Sequence, residues 1–509
     1  MKRNSICLFL LSGLLLALSS CDKYLDINKN PNNPDQVEAA LLLAPIEVNY
    51  ALGVQFDARY IGRYVQNWQS YLAGDTWDLH GYAAASDAGG ELWRNVYFKA
   101  GRNLINLIDD ARANEKWDYL GVGLVMKAWG WQMLTDVHGE IILSEAFDQD
   151  PQKNQFNYDT QQAAYAEVVR LLNEAIPYLN RADGRVSQAQ LARGDIMYAG
   201  NRLKWKRFAY GLLAINAHHL SQKSGYDPNK VIAYVDSAFT SNADNALMPF
   251  NGNSTADASF FGPTRQNLQL YGQGDFMLRL LDGRVFTNVK DPRLSQLLVA
   301  SGDGVYRALV PGGGQSTAAS IPATARVLSP WGTALNSIPP AGTTGKYVFT
   351  DRGPFPMMTY SQLQFIKAEA AFLKGDKATA LAAYRNGISA HLTYAGVSTA
   401  DQTTYLANAA VLPAAGSLTL SQIMLQKYIA QWGWGFLEQW SDLRRYNYSA
   451  EVFTGFQLPQ IFATANNGKP AQRLRPRYNS EYVWNIDALA KIGGLELDYH
   501  TKPVWFSQP

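Results

Sequence analysis

Four ionisable side chains, Asp136, His138, Glu140 and Glu145, fall within ten residues of one another. Such a mix can ligate a metal ion or pass a proton between a carboxylate and an imidazole. The spacing speaks against both uses. Thr135-Asp136-Val137-His138-Gly139-Glu140 has a glycine that turns the chain, and it lacks the His-Glu-x-x-His pattern that sets two imidazoles on one helix face. Its polarity reads as a turn at a helix end. His218 and His219 are adjacent and point roughly 100° apart on a helix, so they cannot face one ion; near a helix C-terminus they suit the negative end of the helix dipole. Asp442 and Arg445, three apart, are expected to pair on a helix surface for roughly a few tenths of a kcal/mol. Pro311-Gly312-Gly313-Gly314 lacks the Lys-Ser/Thr ending of a phosphate loop and reads as an exposed tip. No catalytic residue, metal ligand or cofactor site is assigned.

What remains is stacking chemistry. Residues 60–82 read YIGRYVQNWQSYLAGDTWDLHGY, with rings crowded among Asn, Gln, Asp and Gly. Sugar rings offer apolar C–H faces that aromatic side chains cover, while amides and carboxylates meet the hydroxyl groups. Asn67, Trp68, Tyr71, Asp75 and Trp77 form such a set. Tyr271 and Trp331 come from a second irregular region, and some of Trp68, Trp77, Tyr271 and Trp331 are expected to face solvent and converge on one shallow site. A single ring on an irregular segment more often plugs a core, so the expectation rests on the cluster.

The elements that must position these residues are mostly helical. Residues 363–388 place apolar side chains at Phe365, Ala368 and Phe372, then at Leu381, Tyr384 and Ile388, so each half has one face to bury. Lys374-Gly375-Asp376 between them supplies a basic last turn, a glycine for positive φ and an N-cap. Small residues at Ala368, Ala380 and Gly387 sit where a tetratricopeptide repeat brings its two helices close. Residues 91–113 with 117–135, and 161–179 with 201–221, predict further hairpins, and a helix is expected to start near Val37. The fold class is therefore mainly α, with tetratricopeptide-like hairpins of this kind over roughly 91–221 and 359–446. Between 224 and 358 the helical period largely disappears, and a long irregular insertion with its own turns is predicted. The closing residues 472–509, with Arg473, Arg475 and Arg477 alternating, read as a packed strap.

The first residues carry an address. Lys2 and Arg3 precede an apolar run over 6–18 and a Leu18-Ser19-Ser20-Cys21 site, the pattern of a bacterial lipoprotein signal. Residues 1–20 are expected to be removed, leaving 21–509, a length that allows two to four domains or one large one, with Cys21 lipidated on a membrane the chain does not span. The Asn/Pro-rich segment after Cys21 reads as a tether. In that mature chain no thiol remains for a disulfide or thiolate metal site, because Cys7 is lost and Cys21 is acylated. The full chain carries 45 basic and 43 acidic residues; removal of Lys2 and Arg3 balances them, so nothing attracts nucleic acid broadly.

The lipobox with its tether, the TDVHGEIILSEAF turn after a tryptophan-containing helix, and FLEQWSDLRR followed by RLRPRYNSEYVWN together resemble the SusD/RagB family, over nearly the whole chain. These are lipid-anchored nutrient-binding proteins of Bacteroidetes outer membranes. The second stretch departs from the family's frequent Tyr-Gly-Asp-Ile/Val-Pro run at His138, Glu140 and Leu143. The resemblance implies one domain over 21–509, built on about four helical repeats with irregular insertions forming a ligand surface, and another face meeting a SusC-like TonB-dependent transporter. It also implies a non-catalytic protein that captures an oligosaccharide or another nutrient such as peptide at the cell surface. Two other classes fit the address or the repeats: a lipid-anchored glycosidase, which needs two acids at a defined separation, and a protein-binding helical scaffold without a small-molecule pocket.

Overall fold

The computed structural model describes residues 37–148, 150, 152–315 and 320–509. The leader, Cys21 and most of the tether lie outside the described residues. Ten helices carry the architecture: α1 Ala39–Tyr64, α2 Gly101–Ala113, α3 Trp117–His138, α4 Gln161–Asn180, α5 Arg202–His219, α6 Pro228–Ser237, α7 Tyr360–Lys374, α8 Lys377–Tyr394, α9 Leu420–Gln431 and α10 Phe436–Arg445. They stack in sequence, α2 on α3, α3 on α4, α4 on α5, α5 on α6, α6 on α7 and α7 on α8, within one unit spanning Ala39–Pro509.

The α7–α8 hairpin forms as its sequence predicts. Thr359 and Gln362 close a capping box on α7, Gly375 ends it at φ +87°, and the Asp376 carboxylate accepts from the Thr379 amide to start α8. Gly387 is required by a close approach, since a Cβ there would lie 2.9 Å from the Phe365 ring. Thr160 and Asn201 cap α4 and α5 in the same way.

The region 224–358 is not wholly irregular. Asp227 caps α6 and Pro228 occupies its first turn, after which Val231 and Val235 bury one face between α5 and α7. The helical stack thus continues through residues read as insertion. The rest of that region is tied back by two short ladders. β1 Trp68–Ser70 pairs antiparallel with β3 Tyr271–Gln273, and β2 Ala246–Met248 with β4 Phe355–Met358. The glycine-rich tip is half-buried rather than free, because the Gly74 amide donates to the Gly312 carbonyl at 2.9 Å. The closing strap packs as expected: the Leu474 amide donates to the Val137 carbonyl at 2.7 Å, and Arg473 donates to the Lys502 and Pro503 carbonyls.

Among the described residues α1 is the one helix long and apolar enough to cross a membrane. It is a core helix: Glu47 accepts from the Ile196 and Met197 amides, Asp57 from those of Glu91 and Leu92, and Arg63 donates to Asp78.

Asp442 and Arg445 pair, yet inside the protein rather than on its surface. Arg445 bridges Asp442 and Glu369, Lys427 donates to Asp442 at 2.9 Å, and His218 Nε2 lies 2.8 Å from Glu369; all five side chains are at most 4 % exposed. Burial raises the Glu369 carboxyl, but Arg445, with His218 and Lys427 beside it, outweighs that and holds it well below the usual carboxylate range. Burial lowers His218 to about 4, so it is neutral at pH 7. Two carboxylates then face two cations, a balance that a buried network requires.

Candidate functional site

The aromatic set of residues 67–77 and 331 is largely core, contrary to the shallow site expected of it. Trp68 is 1 % exposed and meets Phe261 edge-on at 5.7 Å, over Gly62, where a Cβ would stand 2.5 Å from the indole. Trp77 is 4 % exposed, against Tyr60 and Tyr82. Trp331 is 5 % exposed and donates its indole N–H to the Phe261 carbonyl. Asn67 is buried, with its amide donating to Gln439 and its carbonyl accepting from Trp432. None of these four side chains presents a face to solvent. Tyr71, Asp75 and Tyr271 are half-buried. Tyr71 packs on Leu309, Val327 and Leu335, Asp75 accepts from Arg63, and the Arg63 guanidinium lies 5.5 Å from the Tyr271 ring centroid. These three lie at the surface without joining the buried rings in one site.

The polar cluster of 136–145 is dispersed. His138 is buried against Trp93 and lowered to about 3 by burial, Glu140 pairs with Arg473, and Glu145 accepts from Asn157. Asp136 instead meets two residues from other helices. His219 places Nδ1 3.3 Å from Asp136 and Nε2 3.1 Å from Glu438, with the Tyr165 hydroxyl donating to Asp136. Three such groups in one place invite a metal. The imidazole, however, turns each nitrogen to a different carboxylate, which is the arrangement of an imidazolium donating twice. Burial alone lowers His219, but Glu438 and Asp136 outweigh it and lift it to about 9. The two adjacent histidines serve two separate internal clusters.

Concave surface lies near the end of α1. Two adjoining depressions share Arg94 and Arg477, one of about 520 Å³ and one of about 470 Å³. The first is walled by Phe56 and Tyr60, one turn apart near the end of α1, and by Phe260 from the insertion. Phe56 and Phe260 meet at 5.6 Å, and Tyr60 rests on buried Trp77 at 4.7 Å. Its rim is charged: Lys99 pairs with Glu91, and Arg477 from the strap pairs with Asp87. Buried Asp57 fixes this geometry by accepting from the Glu91 and Leu92 amides, which ties the helical turn Glu91–Arg94 to α1; burial pushes its pKa up to about 7. The second depression is apolar, with Trp93, Tyr97, Phe147 and Phe156 around a Phe98 side chain that is 74 % exposed. A wall of rings facing charged side chains can stack an apolar face and bond a polar edge of one ligand.

Of residues 60–82, Tyr60 lines the first depression; Phe56, Phe260 and Arg477, which also line it, are not among the site residues expected from the sequence. The available signal was the Phe56–Tyr60 spacing at the end of an apolar helix, with Arg59 between them.

The sequence profile of a family described as starch-binding and associating with the outer membrane matches residues 31–476. No functionally curated protein shows significant sequence similarity to the chain. Among solved structures, a SusD/RagB family protein from Bacteroides thetaiotaomicron shares 21% identity over 93% of this chain and 99% of its own, with a TM-score of 0.70. A SusD homologue from Bacteroides uniformis shares 20% over 92% and 99%, with a TM-score of 0.69. A chitin-binding SusD homologue from Flavobacterium johnsoniae shares 19% over 92% and 98%, with a TM-score of 0.67. At these identities the likeness shows a common fold.

Proposed function

The chain belongs to the SusD-like family, whose members are non-catalytic binding proteins, and from that premise we propose that it captures an oligosaccharide in the depression walled by Phe56, Tyr60 and Phe260. One observation carries the reading: three rings from two distant segments, buttressed from below by Trp77, form one wall of a cavity of about 520 Å³ whose rim is polar. A cavity of that size falls within the range of small-molecule sites. The chitin binding of the Flavobacterium johnsoniae homologue is consistent with a saccharide ligand.

Capture then serves import. Cys21 holds the protein on the outer membrane by lipid at the cell surface, and a TonB-dependent barrel beside it takes up the ligand. These steps rest on the leader sequence and the family.

A panel of neutral and acidic oligosaccharides, screened by affinity electrophoresis with chromatography of the recovered sugar, tests the reading. Retardation with intact sugar is expected. Retardation by none of them, or shortened products, contradicts it. Purification from native membranes in mild detergent is expected to bring down a TonB-dependent barrel, and Cys21→Ala is expected to release the protein from the membrane; recovery of free protein alone contradicts the partner.

A further inference from the structure

We propose that the saccharide taken by this depression is anionic, carrying carboxylate or sulfate groups. The inference rests on the capture reading above and deepens it.

Four cations line the cavity, Arg94, Lys99, Arg265 and Arg477, against two carboxylates, Asp87 and Glu91. The carboxylates are already committed. Asp87 pairs with Arg477, and Glu91 pairs with Lys99 and lies 3.7 Å from Arg94. Arg265 has no carboxylate within 4.0 Å among the described residues, and neither has Arg59, which lies beside the same wall. Asp257 acts on Arg265 only at longer range.

Both free guanidiniums are held in place. Arg59 lies with its Cζ 4.0 Å from the Phe56 ring centroid and 5.2 Å from that of Phe260, and its Nε donates to the Phe56 carbonyl. Among the described residues neither of its terminal nitrogens has a hydrogen-bond partner. Arg265 donates Nε to the Ala258 carbonyl and Nη2 to the Ala256 carbonyl, which leaves Nη1 available. A guanidinium already held by rings or backbone carbonyls loses little side-chain entropy when it binds, and its fork matches carboxylate and sulfate oxygens. A neutral sugar uses the rings but leaves this excess positive charge unanswered; an acidic one uses both.

Calorimetric titrations test this with two matched pairs. Oligogalacturonate against its methyl ester isolates the carboxylate, and κ-carrageenan oligosaccharide against its desulfated form isolates sulfate. The acidic member of at least one pair is expected to bind about ten-fold or more tighter than its neutral partner, the size of one charge-assisted hydrogen bond, and to weaken as salt is raised. Arg59→Gln and Arg265→Gln are each expected to weaken the acidic member more than the neutral one and so to erase most of that preference; Arg265→Lys, which keeps the charge, restores part of it. Melting temperatures of all variants report folding. Equal affinity within both pairs, or a preference that survives both glutamine variants in folded protein, overturns the anionic assignment and leaves saccharide capture standing. Absence of binding by any saccharide in the wider panel overturns both.

Discussion

Replacing Glu369 by glutamine removes one of two carboxylates from a buried network and leaves Arg445 and Lys427 sharing Asp442 alone. The amide keeps the shape, so the change is electrostatic. Because Glu369 and Arg445 side chains are 0 % exposed, solvent cannot screen the loss, and breaking a buried pair costs about 3–5 kcal/mol. The folded unit spans roughly 470 residues, and at about 2.1 cal/mol/K per residue its unfolding entropy is about 1 kcal/mol/K. The expected fall in Tm is therefore about 3–5 °C, read by scanning calorimetry at one fixed rate. Glu167→Gln is the control. Its partner Arg170 has a side chain 57 % exposed, so the pair contributes less than about 1 kcal/mol and its loss shifts Tm by about 1 °C or less. Linkage adds a second readout. Glu369 is held below its unfolded pKa, so its contribution is present above that value and disappears as pH falls through the folded one. Wild type should lose stability on acidification more steeply than Glu369→Gln. Equal Tm for Glu369→Gln and Glu167→Gln, with parallel acid profiles, refutes the reasoning.

Other expectations concern the core and the binding wall. Trp68→Ala should lower Tm by about 3–5 °C, from the roughly 3–5 kcal/mol of a truncated buried ring, and leave saccharide affinity per folded molecule unchanged; lost affinity at wild-type Tm would place Trp68 in the site. Tyr60→Ala should instead weaken saccharide binding by about 1–3 kcal/mol, measured by titration, while helix content by circular dichroism stays constant. His219 has the opposite pH sign to Glu369. Its folded pKa is raised to about 9, so its stabilisation is full below the unfolded value of about 6.5, shrinks as pH rises and is gone above about 9. His219→Gln should flatten that alkaline loss, seen in denaturant midpoints between pH 6 and 9.5; an unchanged slope refutes the imidazolium assignment.

Local sequence marked the helical frame well and the site poorly, for one physical reason. The α7–α8 hairpin was legible because caps, a C-terminal glycine and apolar period are local properties. α6 was missed because only Val231 and Val235 mark its buried face, although Asp227-Pro228 signalled its start. Polar neighbours made the 67–77 segment look exposed. In the fold, Asn67 and Gln69 are buried with their side-chain N–H groups donating to Gln439 and the Arg63 carbonyl, and Asp78 is buried with its carboxylate accepting from the Arg63 guanidinium. The same applies to Asp442 and Arg445, whose burial depends on Glu369, far away in sequence. Polarity signals the surface only where partners are absent, and partners at long separation cannot be read locally. The Phe56–Tyr60–Phe260 wall joins α1 to the insertion across about two hundred residues and shares that invisibility.

The central claim is that a saccharide sits on that wall, and a crystal structure of the protein with a bound oligosaccharide tests it most directly. A sugar ring is expected against the Phe56–Tyr60 wall, packed beside the Arg59 guanidinium that lies over Phe56, with its acidic groups toward Arg59 and Arg265. A saccharide ordered elsewhere, such as against Tyr71 and Tyr271, with the depression empty, would contradict it.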